Sequence, residues 1–325
     1  MRSLILAALM VCVLAAQAQY TGIGIVGDSA DVNTPTRYGA VLMGGNTDVD
    51  EAFRWMIDRS GGGDFVIIRA GGSTGYNQYV YDFGGVNSVE TLLINSRDKA
   101  NLKTTGDRIR QAEALFIAGG DQGNYVNFWA DTEVSRALDY LIHVKMVPVG
   151  GTSAGCAVMS EIVFDARQGT ATSDELLNDP FHVHVSLSKS FLRIPGLEGT
   201  LTDQHYAQRS RQGRHVALLA RMINDFGIRN PRGIAVNEKT AVCIDEHGSM
   251  SVYGSSDAYF LEATTVPEKC EKGVPLSWDA GGKAIRVWKV AGSKTGTKAF
   301  TLPHWPAQTD TWWYVRNGQL GQMTR

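Results

Sequence analysis

The sequence predicts an α/β fold, a mostly parallel sheet covered by helices on both faces, with a small β-rich C-terminal appendage. Three observations predict it. From residue 20 to about 262, short apolar runs alternate with segments of helical period, the pattern of a parallel sheet with crossover helices. Glycine pairs follow apolar runs at Gly44-Gly45, Gly71-Gly72, Gly119-Gly120 and Gly150-Gly151, where open sheets of this kind gather their chemistry. After about residue 262 the pattern changes to alternating residues rich in tryptophan, as in the run from Ala284 to Val290, which reads as antiparallel strands.

Taken in order, the chain opens on Met1-Arg2-Ser3, a short apolar run and Ala16-Gln17-Ala18. A positive start, an apolar core and a small-x-small end describe a secretory signal peptide. Residues 1–18 are therefore expected to be removed and the protein to be extracellular. Apolar runs give strands at 23–26, 40–43, 64–69, 91–94, 114–118 and 147–150. Segments of helical period give helices at 50–59, 104–111, 132–143 and 154–162. Residues 19–262 form the expected α/β domain and 263–325 the appendage. Trp278, Trp288, Trp305, Trp312 and Trp313 are expected to pack the appendage against the main sheet.

Composition narrows the function. The 325 residues carry 31 Lys+Arg against 33 Asp+Glu, with 43% hydrophobic and 20% charged. That mix is globular rather than disordered. Its near-neutral balance makes no electrostatic case for a nucleic acid or membrane partner. Of the four cysteines, Cys12 leaves with the signal peptide. Cys243 and Cys270 flank an expected hairpin region and are candidates for a disulfide, while Cys156 reads as a buried small hydrophobe.

The stretch with the most chemistry runs from Val147 to Met159. An apolar strand passes straight into a small-residue helix, and Gly151-Thr152-Ser153-Ala154-Gly155 fits the G-x-S-x-G nucleophile elbow. A serine on such a turn needs small neighbours, and glycines two positions either side let strand and helix cross closely. A helix start also directs N–H groups toward developing negative charge. A serine nucleophile needs a base. His205 lies in a polar segment with Arg209, Arg211 and Arg214, whose guanidinium groups suit a carboxylate-bearing substrate. His182 and His184 share a face but have no third ligand of suitable spacing, so no metal is expected.

Three ordered motifs, 116–122 (Phe-Ile-Ala-Gly-Gly-Asp-Gln), 151–155 and 203–205 with Arg209, Arg211 and Arg214, resemble the cyanophycinase group of the S51 serine peptidases, with aspartyl dipeptidases as more distant relatives. The similarity covers about residues 38–262. It implies a three-layer, class I glutamine-amidotransferase-like sandwich and no cofactor. It also implies Ser153 as nucleophile, His205 as base, and an oxyanion hole from the backbone of Ala154 and of Gly120 or Asp121. Gln122, Asp203, Gln204, Arg209, Arg211 and Arg214 resemble the family's substrate-pocket residues. The implied substrate is an acidic or aspartyl peptide, cut at β-Asp–Arg or related bonds, and a second copy of the chain is the one protein partner the reading admits. The family also has an acid between serine and histidine that orients the imidazole. Glu175, with Asp174 behind it, is the expected acid, although the spacing departs from the family pattern. Cys156 replaces the usual alanine. The alternative is a secreted, non-catalytic binding or matrix protein that keeps the hydrolase fold.

Overall fold

The computed structural model describes residues 20–325. The expected signal peptide lies outside the described residues. Seventeen strands follow in chain order: Gly22–Gly27 (β1), Gly39–Met43 (β2), Asp64–Arg69 (β3), Ser88–Leu93 (β4), Ala114–Ile117 (β5), Pro148–Thr152 (β6), Ile162–Phe164 (β7), Leu187–Lys189 (β8), Thr200–Gln204 (β9), Arg232–Val236 (β10), Thr240–Asp245 (β11), Ser249–Gly254 (β12), Asp257–Ala263 (β13), Ile285–Ala291 (β14), Thr297–Thr301 (β15), Thr311–Arg316 (β16) and Gln319–Thr324 (β17).

They form two sheets, not the single sheet expected, in the orders β1-β4-β3-β5-β6-β2-β11-β12-β15 and β17-β16-β14-β13-β10-β9-β7-β8. In the first sheet β4, β3, β5, β6 and β2 run parallel, flanked by antiparallel β1 on one side and β11 on the other. In the second, β7, β9 and β10 run parallel and the remaining pairings are antiparallel.

Strand alternation sorts side chains into three cores. Val41, Met43, Phe65, Ile67 and Phe116 face the helix Asp50–Ser60. Their neighbours Ala40, Leu42, Val66, Ile68 and Leu115 face the other way, into a core that also takes Ile234, Val236 and Phe260 from the second sheet. The outer face of that sheet, with Ala235 and Leu261, packs on the helix Gln212–Phe226. A period of two places successive residues on opposite faces, so each sheet contributes to two cores at once.

Three expectations are corrected. The residues after 262 are not set apart: β14, β16 and β17 extend the second sheet and β15 edges the first. Their tryptophans do pack, with Trp278 and Trp313 buried and Trp288 and Trp305 against Phe260 and Phe300. The helix expected at 154–162 covers only Ala154–Ala157, and Ile162–Phe164 becomes β7. Its β-branched and aromatic residues fit a pleated surface better than a helix. Cys243 and Cys270 do not pair. Cys243 packs in the core under Asp50–Ser60 and Cys270 against the core of the second sheet's outer face, so their side chains belong to different layers.

Candidate active site

Ser153 follows β6, whose two neighbours in the sheet are β2 and β5. The carboxyl ends of these three parallel strands supply Ser153, the Gly44-Gly45 turn and the Gly119-Gly120 turn. Ser153 has φ 51° and ψ −118°, a left-handed backbone that a non-glycine residue holds only under constraint. The elbow is tight because strand and helix touch. A Cβ on Gly151 would lie 2.5 Å from the backbone of Gly155, and one on Gly155 would lie 2.1 Å from the Ile117 carbonyl oxygen. The Ser153 N–H donates to the Met43 carbonyl at 3.2 Å. That bond pins the serine's main chain to β2.

The second sheet delivers the partners. β9 and β10 are parallel neighbours with Gln204 opposite Val236, so both chains leave the sheet at the same end. His205 is the next residue on one, and Glu238 follows two residues after β10 on the other. Ser153 Oγ stands 2.9 Å from His205 Nε2, and His205 Nδ1 stands 2.7 Å from Glu238 Oε1. The Glu238 carboxyl is held below the usual range chiefly by this hydrogen bond. As an ionised carboxylate it can only accept, so Nδ1 carries the proton and Nε2 is left to accept from the Ser153 hydroxyl. Burial pushes the His205 imidazole below its ordinary value, and the guanidinium groups of Arg209 and Arg211 add to this, outweighing Glu238. The imidazole is thus neutral and poised to take a proton near neutral pH.

Gly45 makes the approach of the two sheets possible. It has φ +94°, and a Cβ there would lie 2.6 Å from His205 Cε1 and 3.0 Å from Ser153 Cβ. The neighbouring Gly44 carbonyl accepts the His205 N–H at 2.9 Å. On the other side, a Cβ on Gly119 would be 3.6 Å from Ser153 Cβ, which brings the turn leading to Gly120 and Asp121 beside the serine. Asp121 caps the helix Gln122–Trp129, accepting from the Gly123 N–H at 2.8 Å.

Glu175 is not the group behind His205. It lies at the start of the helix Ser173–Asn178, where its carboxylate accepts from the Thr172 N–H at 2.7 Å and hydroxyl at 2.9 Å. Both imidazole nitrogens are already engaged by Ser153 and Glu238. Asp174 lies beside Glu175 on the same short helix. The signal that points to Glu238 is an acid two residues past an apolar strand, Ile234-Ala235-Val236, on the far side of the histidine from where an acid was expected.

The six residues that resemble the family's pocket range from buried to exposed. Asp203, Gln204 and Arg214 are buried. Arg214 Nε donates to Asp203 Oδ2 at 3.0 Å, Arg211 Nη1 to Asp203 Oδ1 at 3.1 Å and to the Gln204 carbonyl at 2.6 Å. Burial pushes the Asp203 carboxyl up, but Arg214 and Arg211 hold it below its ordinary range. Arg214 is therefore committed to Asp203, and its guanidinium also covers the Phe164 ring, 4.9 Å from the centroid. Gln122 reaches the same place, donating to the Phe164 carbonyl at 3.2 Å. Arg209 is exposed. Cys156 is buried one turn inside the elbow helix, and burial pushes its thiol up to about 12. A thiol so placed is a poor nucleophile. Among the described residues no group of three His, Cys, Asp or Glu side chains is arranged to hold a metal ion, and no helix is long and apolar enough to cross a membrane.

Residues 69–252 match the model of peptidase family S51. A cyanophycinase of Trichormus variabilis is 23% identical over 195 residues, covering 60% of this chain and 60% of its own. A cyanophycinase of Synechococcus elongatus is 26% identical over 183 residues, covering 56% of this chain and 52% of its own. The chain thus spans little more than half the length of these curated relatives. The crystal structure of a peptidase from an acI-B1 Actinobacterium superposes with a TM-score of 0.54 at 14% identity, covering 82% of this chain and 98% of that one, a likeness of fold.

Proposed function

Because the chain belongs to peptidase family S51, we propose that it is a serine hydrolase that cleaves aspartyl-type amide bonds through an acyl-enzyme. The observation that carries this reading is the unbroken relay from Ser153 Oγ through His205 to Glu238, with separations of 2.9 and 2.7 Å. Both lie in the range in which a base can take a proton.

In the proposed reaction His205 Nε2 removes the Ser153 proton as Oγ attacks the substrate's carbonyl carbon. Glu238 stabilises the imidazolium that forms. The oxyanion is held by backbone N–H groups of Ala154 and of the Gly120–Asp121 turn, each donor contributing about 3 kcal/mol to the transition state. The C–N bond breaks as His205 hands its proton to the leaving amine. Water, activated by the same imidazole, then releases the acid and restores the serine.

The substrate class is read from charge. Arg209 is exposed in the short helical turn after His205, and Gln122 opens the helix that follows the Gly119-Gly120 turn beside Ser153. Together they suit the free carboxylate of an aspartyl residue. The relatives named cyanophycinase support a β-Asp–Arg bond within this class. The leader ending Ala16-Gln17-Ala18 supports export, which N-terminal sequencing of the recovered protein tests: a start at Gln19 is expected, and retained Met1 contradicts it. The substrate test is incubation with β-Asp–Arg, with α-Asp dipeptides and with a neutral dipeptide, read by mass spectrometry. Release of arginine from β-Asp–Arg and no cleavage of the neutral control are expected. Equal cleavage of all three overturns the specificity, and cleavage of none overturns the hydrolase.

A further inference from the structure

Resting on the serine-hydrolase reading above, we propose that Asn46 is a positioning residue for that reaction: its side-chain amide fixes the Glu238 carboxylate through the oxygen that His205 does not use. Asn46 Nδ2 donates to Glu238 Oε2 at 2.8 Å, while Oε1 receives His205 Nδ1. A carboxylate on a turn keeps a soft terminal torsion. Anchoring both oxygens removes that freedom and fixes the plane in which the imidazole must lie. The Glu238 main chain is held as well, its N–H donating to Gln208 Oε1 at 3.1 Å.

The loop that carries Asn46 is itself braced on three sides. Gly44 accepts from the His205 N–H at 2.9 Å, Gly45 accepts from the Lys239 N–H at 3.4 Å, and Asp48 accepts from Tyr76 Oη at 2.6 Å. Asn46 has φ 67°, a conformation that asparagine adopts more readily than other side-chain-bearing residues. The position therefore asks for two things together, a left-handed backbone and an amide donor. Glycine supplies the first without the second. Aspartate keeps the shape but replaces the donor with a negative charge.

The charged groups that bear on His205 are Glu238, which favours its protonation, and Arg209 and Arg211, which oppose it. Aspartate at position 46 adds one negative charge beside Glu238. The test is the titration of the His205 imidazole followed by NMR, with the resonance assigned by its loss in His205→Gln, in wild type, Asn46→Asp and Asn46→Gly. Asn46→Asp is expected to raise the midpoint by about one pH unit. Asn46→Gly is expected to lower kcat about tenfold, the scale of one charge-assisted hydrogen bond, with KM and the thermal midpoint little changed. An unchanged His205 midpoint in Asn46→Asp, or wild-type kcat in Asn46→Gly, overturns the inference. The titration needs no turnover. A wild-type protein that cleaves no amide would therefore refute the hydrolase reading while the Asn46 contact is still judged.

Discussion

Glu238 meets His205 Nδ1 at 2.7 Å although the two residues are 33 positions apart. Parallel pairing of β9 and β10 places them at one end of the second sheet, and the acid lies after the histidine in the chain rather than before it.

Replacing Glu238 by Gln keeps the shape but replaces the charged acceptor by a neutral amide; with its oxygen accepting from Asn46 Nδ2, its NH2 faces Nδ1 and favours the wrong imidazole tautomer. The kcat is expected to fall about 10³- to 10⁴-fold. Glu175→Ala, which loses only the cap of a short surface helix, should leave kcat as in wild type. Steady-state kinetics on one aspartyl substrate checks both, and the opposite pattern would restore Glu175 to the relay.

The pH profile follows from burial of the imidazole. In the proposed reaction His205 must be neutral to accept the serine proton, and burial holds its protonation midpoint below the ordinary 6.5. The acid limb of kcat/KM is therefore expected below pH 6.5, so activity persists into mildly acidic solution and is lost only as the pH falls through that lower midpoint. A limb at or above 6.5 in the free enzyme would contradict the electrostatics described for the site.

Gly45→Ala tests the contact between the two sheets. The added methyl would lie 2.6 Å from His205 Cε1, on a residue with φ +94°. The ring must move, and misplacement on this scale is expected to cost about 10²-fold in kcat/KM. Circular dichroism separates this from unfolding. Unchanged activity would show that the turn after β2 does not approach the imidazole.

Asp203→Asn probes the buried ion pair beneath the loop. Arg214, 4% exposed, would keep a charge without a counter-charge, and breaking a buried pair typically costs about 3–5 kcal/mol. A large drop in the urea midpoint is expected. A variant as stable as wild type would instead free Asp203 for a role at the substrate.

How far the sequence could be read depends on whether a feature is local. Ser153 was legible because the elbow is encoded in five consecutive residues, and the close contact of Gly151 with Gly155 is the packing they imply. His205 was legible from its polar segment and neighbouring arginines. Glu238 was not, because its place depends on the register of β9 against β10, and the helix Gln212–Phe226 separates the two in the chain. The same limit hid the second sheet. Strand–helix alternation continues through β9 and β10 as though one sheet were being extended, and only tertiary pairing shows that β7 starts another. The Cys243–Cys270 pairing failed for a related reason: proximity to a hairpin says nothing about which face of which layer each thiol occupies. Arg214 shows how burial alters a motif's meaning, since a guanidinium that reads as a substrate contact is occupied by Asp203 instead.

The most direct measurement is the turnover of Ser153→Ala beside wild type on β-Asp–Arg, with both proteins acid-quenched early and their peptides mapped by mass. Wild type should release arginine and carry an aspartyl adduct on the peptide containing Ser153, while the folded variant should do neither. Turnover by the variant at the wild-type rate would show that this hydroxyl is not the nucleophile.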